Sequence, residues 1–229
     1  MIPLRDSTRT GKTPYVNLTL IGINLAVFLF ELSLSQNELA LLFRRWGALP
    51  IRLGADIQSV AEVGLPPFLL TLITATFLHG GWFHVLSNML YLWVFGDNVE
   101  ARLGHFGYTI FYLIAGVSGF FAHALANTGS AVPAIGASGA IAGVLGAYLL
   151  LFPRARILTL IPVFIFLHLT ELPAVVFLVF WFVLQLANGV MSLGAMGQTV
   201  AWWAHVGGFL SGVVIVYFLA RDRMRPEIT

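Results

Sequence analysis

The sequence predicts an all-α polytopic membrane protein, a bundle of six transmembrane helices with a large interfacial first loop. Three observations carry that reading. Of 229 residues, 59% are hydrophobic and 10% charged, with a mean hydropathy of +0.89, whereas soluble domains run near ~45–50% and ~25%. A soluble core could not hide that much apolar surface. The apolar residues gather into runs close to the ~20 residues a helix needs to cross the hydrocarbon core. The few charges stand between those runs, as loop anchors do.

Taken in order, residues 1–14 are polar, with Arg5, Arg9 and Lys12, and the almost uncharged run 15–34 is the first span. It is read as retained, because its apolar part is long for a cleaved leader and no Ala-x-Ala site follows. Residues 35–81 hold Glu38, Arg44, Arg45, Trp46, Arg52, Asp56, Glu62 and Pro66-Pro67. No charge-free window there is long enough to span, so the segment is expected to lie at the interface. The second span is 82–101, closing with Asp97, Glu100 and Arg102; the third is 106–126. The fourth, 136–152, is short and stops at Pro153-Arg154-Ala155-Arg156. Residues 157–190 exceed one crossing but are interrupted by Pro162, Glu171 and Pro173. The fifth span is therefore placed at 172–190, with 157–170 along the interface. The sixth is 202–220, followed by Arg221-Asp222-Arg223-Met224-Arg225.

Nothing divides the chain, so residues 1–229 are read as a single membrane-embedded domain without repeats. Cysteine is absent, which excludes disulfides, thiolate metal sites and a cysteine nucleophile. The net charge is +2 and the cations are scattered, so nucleic acid is not an expected partner. Six spans put both ends on one side. With that side cytoplasmic, Arg5, Arg9, Lys12, Arg102, Arg154, Arg156, Arg221, Arg223 and Arg225 are inside and only Arg44, Arg45 and Arg52 outside, a strong positive-inside bias. The expected setting is a bacterial cytoplasmic membrane.

That topology brings polar residues from distant spans to one depth. Ser138 begins the descending fourth span within Gly136-Ala137-Ser138-Gly139-Ala140; His205 lies near the outer start of the sixth, and His84 and Asn88 at the outer start of the second. Polar side chains at such depth are costly and usually face a partner inside the protein. A serine hydroxyl needs a base to become a nucleophile, and neutral His205 can take its proton and return it to a leaving amine. Ala142 and Gly146 on the Ser138 face, with Gly208 and Gly212 on the His205 face, would let the two helices close up. His84 and Asn88, four apart on one helix face, could donate to an oxyanion together with the Ser138 N–H at its helix start. No acid is placed to orient His205, which points to a dyad. Of the other histidines, His79 is read as tying down the loop, and His105, His123 and His168 as interfacial. Gly96-Asp97 with Glu100 and Arg102 is read as a cap at the inner end of the second span.

From about residue 69 to 219 the chain resembles the rhomboid family of intramembrane serine proteases, in its bacterial, six-helix form. The resemblance rests on Phe77-Leu78-His79-Gly80-Gly81-Trp82-Phe83-His84 with Asn88, on Gly96-Asp97-Asn98-Val99-Glu100 and Leu103-Gly104, on Gly136-Ala137-Ser138-Gly139-Ala140, and on Ala204-His205-Val206-Gly207-Gly208 with Gly212. It implies a six-helix bundle that cleaves single-span membrane proteins near the bilayer surface, with Ser138 as nucleophile, His205 as base, and His84 and Asn88 as oxyanion side chains. It implies transmembrane-segment substrates within lipid, and no cofactor or metal. There are two departures. Some bacterial members stack an aromatic, four residues after the serine, on the histidine, where this chain has Ala142. Some carry Trp-Arg in the first loop, where this chain has Arg45-Trp46.

Other classes remain open to the sequence. Small-residue motifs pack membrane helices more often than they react, so Ser138 taken alone favours structure. A non-catalytic relative that binds transmembrane clients, or a small transporter, would also be a helical membrane protein, although paired repeats with mid-membrane charges are not apparent.

Overall fold

The computed structural model describes residues 1–8, 10–53, 66–163, 166–193 and 200–220. Arg9, Asp56, Glu62, Arg221, Arg223 and Arg225, invoked for topology or for the first loop, lie outside the described residues. Each predicted span becomes a helix with nearly its predicted bounds. The helices are α1 (Tyr15–Leu32), α2 (Gln36–Trp46), α3 (Phe68–Thr74), α4 (Trp82–Leu103), α5 (His105–Ala126), α6 (Ser138–Leu151), α7 (Ala174–Met191) and α8 (Trp202–Ala220). By length and hydropathy α1, α5, α7 and α8 can each cross a membrane. The segment Phe68–Phe77 meets α4 at a bend of 87°, and that pair passes the same test together. The protein is a multi-pass helical membrane protein.

The first loop opens with α2, an amphipathic helix started by a capping box. Ser35 accepts from the Glu38 N–H at 3.4 Å, and Glu38 accepts from the Ser35 N–H at 2.9 Å. Its far end is pinned to the bundle where Ala48 and Ala134 exchange backbone hydrogen bonds of 3.0 and 2.8 Å, and where Thr74 donates to the Trp46 carbonyl at 2.6 Å.

Of residues 157–170, expected only to lie along the interface, 157–163 and 166–170 are strand. β2 (Arg156–Val163) and β3 (Phe166–Pro173) pair antiparallel, and β1 (Ile2–Asp6), from the stretch read only as polar, adds the third strand in the order β1-β2-β3. The fifth span accordingly starts at Ala174 rather than 172. Helix is stopped on both sides, by Pro153 and Pro173, and the backbone groups between them find partners in a sheet instead. Ile157 and Thr159 are fully buried while Leu158 and Leu160 are not, a period of two.

Beside the sheet, Glu100 at the end of α4 is 1% exposed and accepts from the Val16 and Asn17 N–H groups at 3.0 and 2.7 Å. It therefore caps the start of α1, not its own helix end as the sequence suggested. A carboxylate there meets free N–H groups and the positive end of the helix dipole. Asn17 is held at both ends of its amide, donating to the Leu92 carbonyl at 3.0 Å and accepting from Tyr108 at 2.9 Å.

At the centre, α6 is buried from Gly139 through Tyr148, and α5 and α8 press against it. A Cβ on Gly208 would run into the Gly139 carbonyl, and one on Gly212 into that of Gly143, so this close approach requires glycine on the α8 side. On α6 the contact runs along Gly139, Gly143 and Gly146, the last against the Phe209 carbonyl, so Gly146, Gly208 and Gly212 stand at the contact as expected and Gly143 takes the place expected of Ala142. At 14 residues α6 spans only about 21 Å. The starts of α4, α6 and α8 cluster at the end of the bundle opposite the sheet.

Candidate active site

The turn before α6 is fixed by its backbone. The Gly136 N–H donates to the Ala75 carbonyl at 2.8 Å, and Gly136 has φ of +117°. A side chain there would be strained and would also strike the His84 ring. Ser138 is thereby delivered on the first turn of α6, where N–H groups have no acceptor within the helix. Its Oγ lies 2.8 Å from Nε2 of His205, which comes from the first turn of α8. The other ring nitrogen, Nδ1, lies 2.8 Å from Oε1 of Gln185 on α7. Trp181 and Trp202 pack around the imidazole with ring centroids 5.9 and 6.0 Å away, the second edge-on at 87°.

His84 and Asn88 project from α4 toward the same place. The Gly80 N–H donates to His84 Nδ1 at 3.4 Å, which leaves the ring proton on Nε2, the nitrogen that approaches Gly136. Asn88 is 6% exposed, and its Nδ2 has no hydrogen-bond partner among the described residues. A cavity of about 490 Å³ is lined by His84, Asn88, Ser138 and His205, with Gln185, Trp181, Tyr91 and Gly80 on its remaining walls. All four residues singled out from the sequence therefore border one hollow. Chemically, the hollow offers a hydroxyl against a ring nitrogen and, beside it, an amide N–H with no acceptor among the described residues.

A family model described as Rhomboid domain matches residues 67–222. The chain belongs to the rhomboid family. It is similar to "RHOMBOID-like protein 1" of Arabidopsis thaliana, 34% identical over 153 residues that make up 66% of this chain and 35% of that protein. It is similar to "Rhomboid-like protein 11, chloroplastic" of the same plant, 32% identical over 155 residues, 65% of this chain and 52% of the relative. "Rhomboid protein 1, mitochondrial" of Saccharomyces cerevisiae is 30% identical over 161 residues, 66% of this chain and 42% of the relative. The chain thus spans between about a third and a half of the length of these relatives.

Within this rhomboid domain the remaining histidines sort by environment. The backbone N–H of His79 donates to the buried Glu31 carboxylate at 3.1 and 3.2 Å, tethering the turn before α4 to the end of α1, while its ring nitrogens are buried with no hydrogen-bond partner among the described residues. His105 and His168 are exposed, as expected of interfacial residues. His123 is not: it is 8% exposed inside α5, and Asn127 donates to its carbonyl at 3.0 Å. Among the described residues, no group of three or more His, Asp or Glu could hold a metal ion.

Sequence reasoning missed Gln185 and Trp181. It left open what holds the imidazole in place of an aromatic at position 142, and α7 supplies both. A signal existed, since Gln185 is the lone amide in the apolar run Phe177-Leu178-Val179-Phe180-Trp181-Phe182-Val183-Leu184-Gln185-Leu186, and polar residues inside spans tend to mark sites.

Proposed function

We propose that this protein is an intramembrane serine endopeptidase that hydrolyses peptide bonds in or near the transmembrane helices of other membrane proteins. The observation that carries the reading is the 2.8 Å approach of Ser138 Oγ to His205 Nε2 on the wall of a cavity that also holds the unpartnered Asn88 amide. Ser138 attacks the substrate carbonyl carbon as its proton passes to His205 Nε2. The oxyanion that forms is met by the His84 Nε2–H, the Asn88 Nδ2–H and the Ser138 N–H, donors already in place. As the C–N bond breaks, His205 gives its proton to the leaving amine, and an acyl ester remains on Ser138. Water entering the cavity then loses a proton to His205 and releases the acid, restoring the hydroxyl. No step calls for a cofactor, a metal or nucleic acid.

The substrates of this reading are transmembrane-segment proteins in the surrounding lipid. A helix must open locally to present a peptide bond, so segments with Gly or Pro near the cut should be preferred. The proposed location is a bacterial cytoplasmic membrane, with the sheet end and both chain ends cytoplasmic, on the strength of the distribution of Arg and Lys. Fractionation of the source cells tests it. The test of function is cleavage of a reconstituted single-span substrate by wild type, Ser138→Ala and His205→Ala. Loss of the cut in both variants supports the reading. A cut that survives Ser138→Ala returns the protein to a client-binding or transport role.

A further inference from the structure

We propose that Gln185 is a positioning residue that sets the tautomer of His205 and so makes its Nε2 the nitrogen able to take the Ser138 proton. The kinetic part rests on the peptidase reading above; the tautomer rests on geometry alone. Gln185 is 8% exposed and its amide is oriented from within its own helix, because Nε2 donates to the Trp181 carbonyl at 3.2 Å. That turns Oε1 toward His205 Nδ1 at 2.8 Å. An amide oxygen only accepts, so Nδ1 must carry the ring proton. In neutral imidazole the other nitrogen is then an acceptor, and it is this Nε2 that faces Ser138 Oγ at 2.8 Å.

Without Gln185 the neutral ring is free to carry its proton on Nε2, the tautomer that cannot accept from serine. The same oxygen also receives a charge-assisted hydrogen bond once His205 becomes imidazolium. It does so without burying a second full charge, which a carboxylate at this position would. Trp181 takes part twice, through its carbonyl on the amide and through its ring on the imidazole. The pair Ser138 and His205 stands on α6 and α8, so the geometry of the site depends on a third helix, α7.

The experiment compares wild type, Gln185→Leu and Gln185→Glu in three readouts: steady-state cleavage of a reconstituted transmembrane substrate across pH, Tm, and ¹⁵N spectra of the histidine-labelled protein. His84 on α4 and His123 on α5, the titratable groups that act on His205 from neighbouring helices, are unchanged in each variant. In wild type the His205 ring should carry its proton on Nδ1. Gln185→Leu should lower kcat about 10- to 100-fold, the usual penalty for losing the partner that orients a functional histidine, with KM little changed and a mixed-tautomer spectrum. Gln185→Glu keeps an acceptor, so it should retain kcat at its plateau, hold the proton on Nδ1 and move the acid limb of kcat to higher pH. A wild-type spectrum with the proton on Nε2 overturns the inference whatever the activities are. So does a Gln185→Leu enzyme whose Tm falls while kcat and its pH limb stay put, since that is what a purely structural amide would give. Failure of the peptidase reading looks different: no cut by wild type, or a cut by Ser138→Ala, beside an unaltered Nδ1–H signal.

Discussion

At the sheet end of the bundle, Glu100 accepts from Val16 and Asn17 and lies 2.5 Å from His105, and Asn17 itself is bonded through both amide atoms. At the other end, Asn88 Nδ2 is buried with no partner among the described residues and His84 borders a cavity. Both ends bring together an Asn, a His and an acidic or hydroxyl group, His105 at the sheet end being exposed, so residue type does not separate them. What separates Glu100 and Asn17 from Asn88 is satisfaction, although Asn98 Oδ1 near the sheet is also buried with no partner among the described residues. A buried donor left open costs about 1–3 kcal/mol, which a fold tolerates where something else is to be bound. The bonded network anchors helices to each other; in the proposed function the open donors would meet a substrate oxygen.

This contrast predicts that substitutions at the two ends act on different quantities. The largest effect belongs to the open end. His84→Ala and Asn88→Ala should each lower kcat by about 10²–10³-fold, the range for removing one oxyanion donor, while Tm stays near wild type. Kinetics and thermal unfolding of the same preparation check both halves. At the closed end Glu100→Ala should lose about 3 kcal/mol of stability, because it strips the cap from α1 and leaves buried N–H groups unpaired. The folded fraction should cleave at the wild-type rate. A stable Glu100→Ala protein with damaged kcat would erase the distinction.

The smallest effect concerns Asp6 in β1, which accepts from Asn98 Nδ2 at 2.8 Å and from the Tyr148 hydroxyl. Burial raises its carboxyl above the ordinary value of 3.8, so the folded protein holds that proton more tightly than the unfolded chain does. Stability contributed by this group is therefore present at low pH and declines as pH rises from 3.8 through the raised value. Asp6→Asn, which can still accept both hydrogen bonds, should flatten that slope and shift Tm by no more than about 4 °C. A pH series of melting curves reads it directly.

The parts of the molecule that were legible in the sequence are those whose signal is local. An uninterrupted apolar run declares a span by itself, and the starts of three spans declared a common depth for His84, Ser138 and His205. The sheet was hidden because its first strand lies at Ile2–Asp6 and its partner near residue 160, and nothing in either stretch names the other. The burial of His123 was not legible because one histidine near a helix end reads the same whether it faces water or a neighbour. Gln185 escaped notice because its meaning depends on which nitrogen of His205 it meets, which is a fact about three helices at once. Of the expected contact residues Gly146, Gly208 and Gly212 were read correctly and only Ala142 was set one residue off, where Gly143 touches, since packing alone decides which face meets α8.

The central claim is that Ser138 is made nucleophilic by His205 inside the cavity. The most direct measurement is peptide mass spectrometry of protein treated with a fluorophosphonate, run on wild type and His205→Ala. The account predicts a covalent adduct on the peptide carrying Ser138 in wild type and little or none in His205→Ala. An adduct on another residue, or equal labelling of Ser138 without the imidazole, would contradict it.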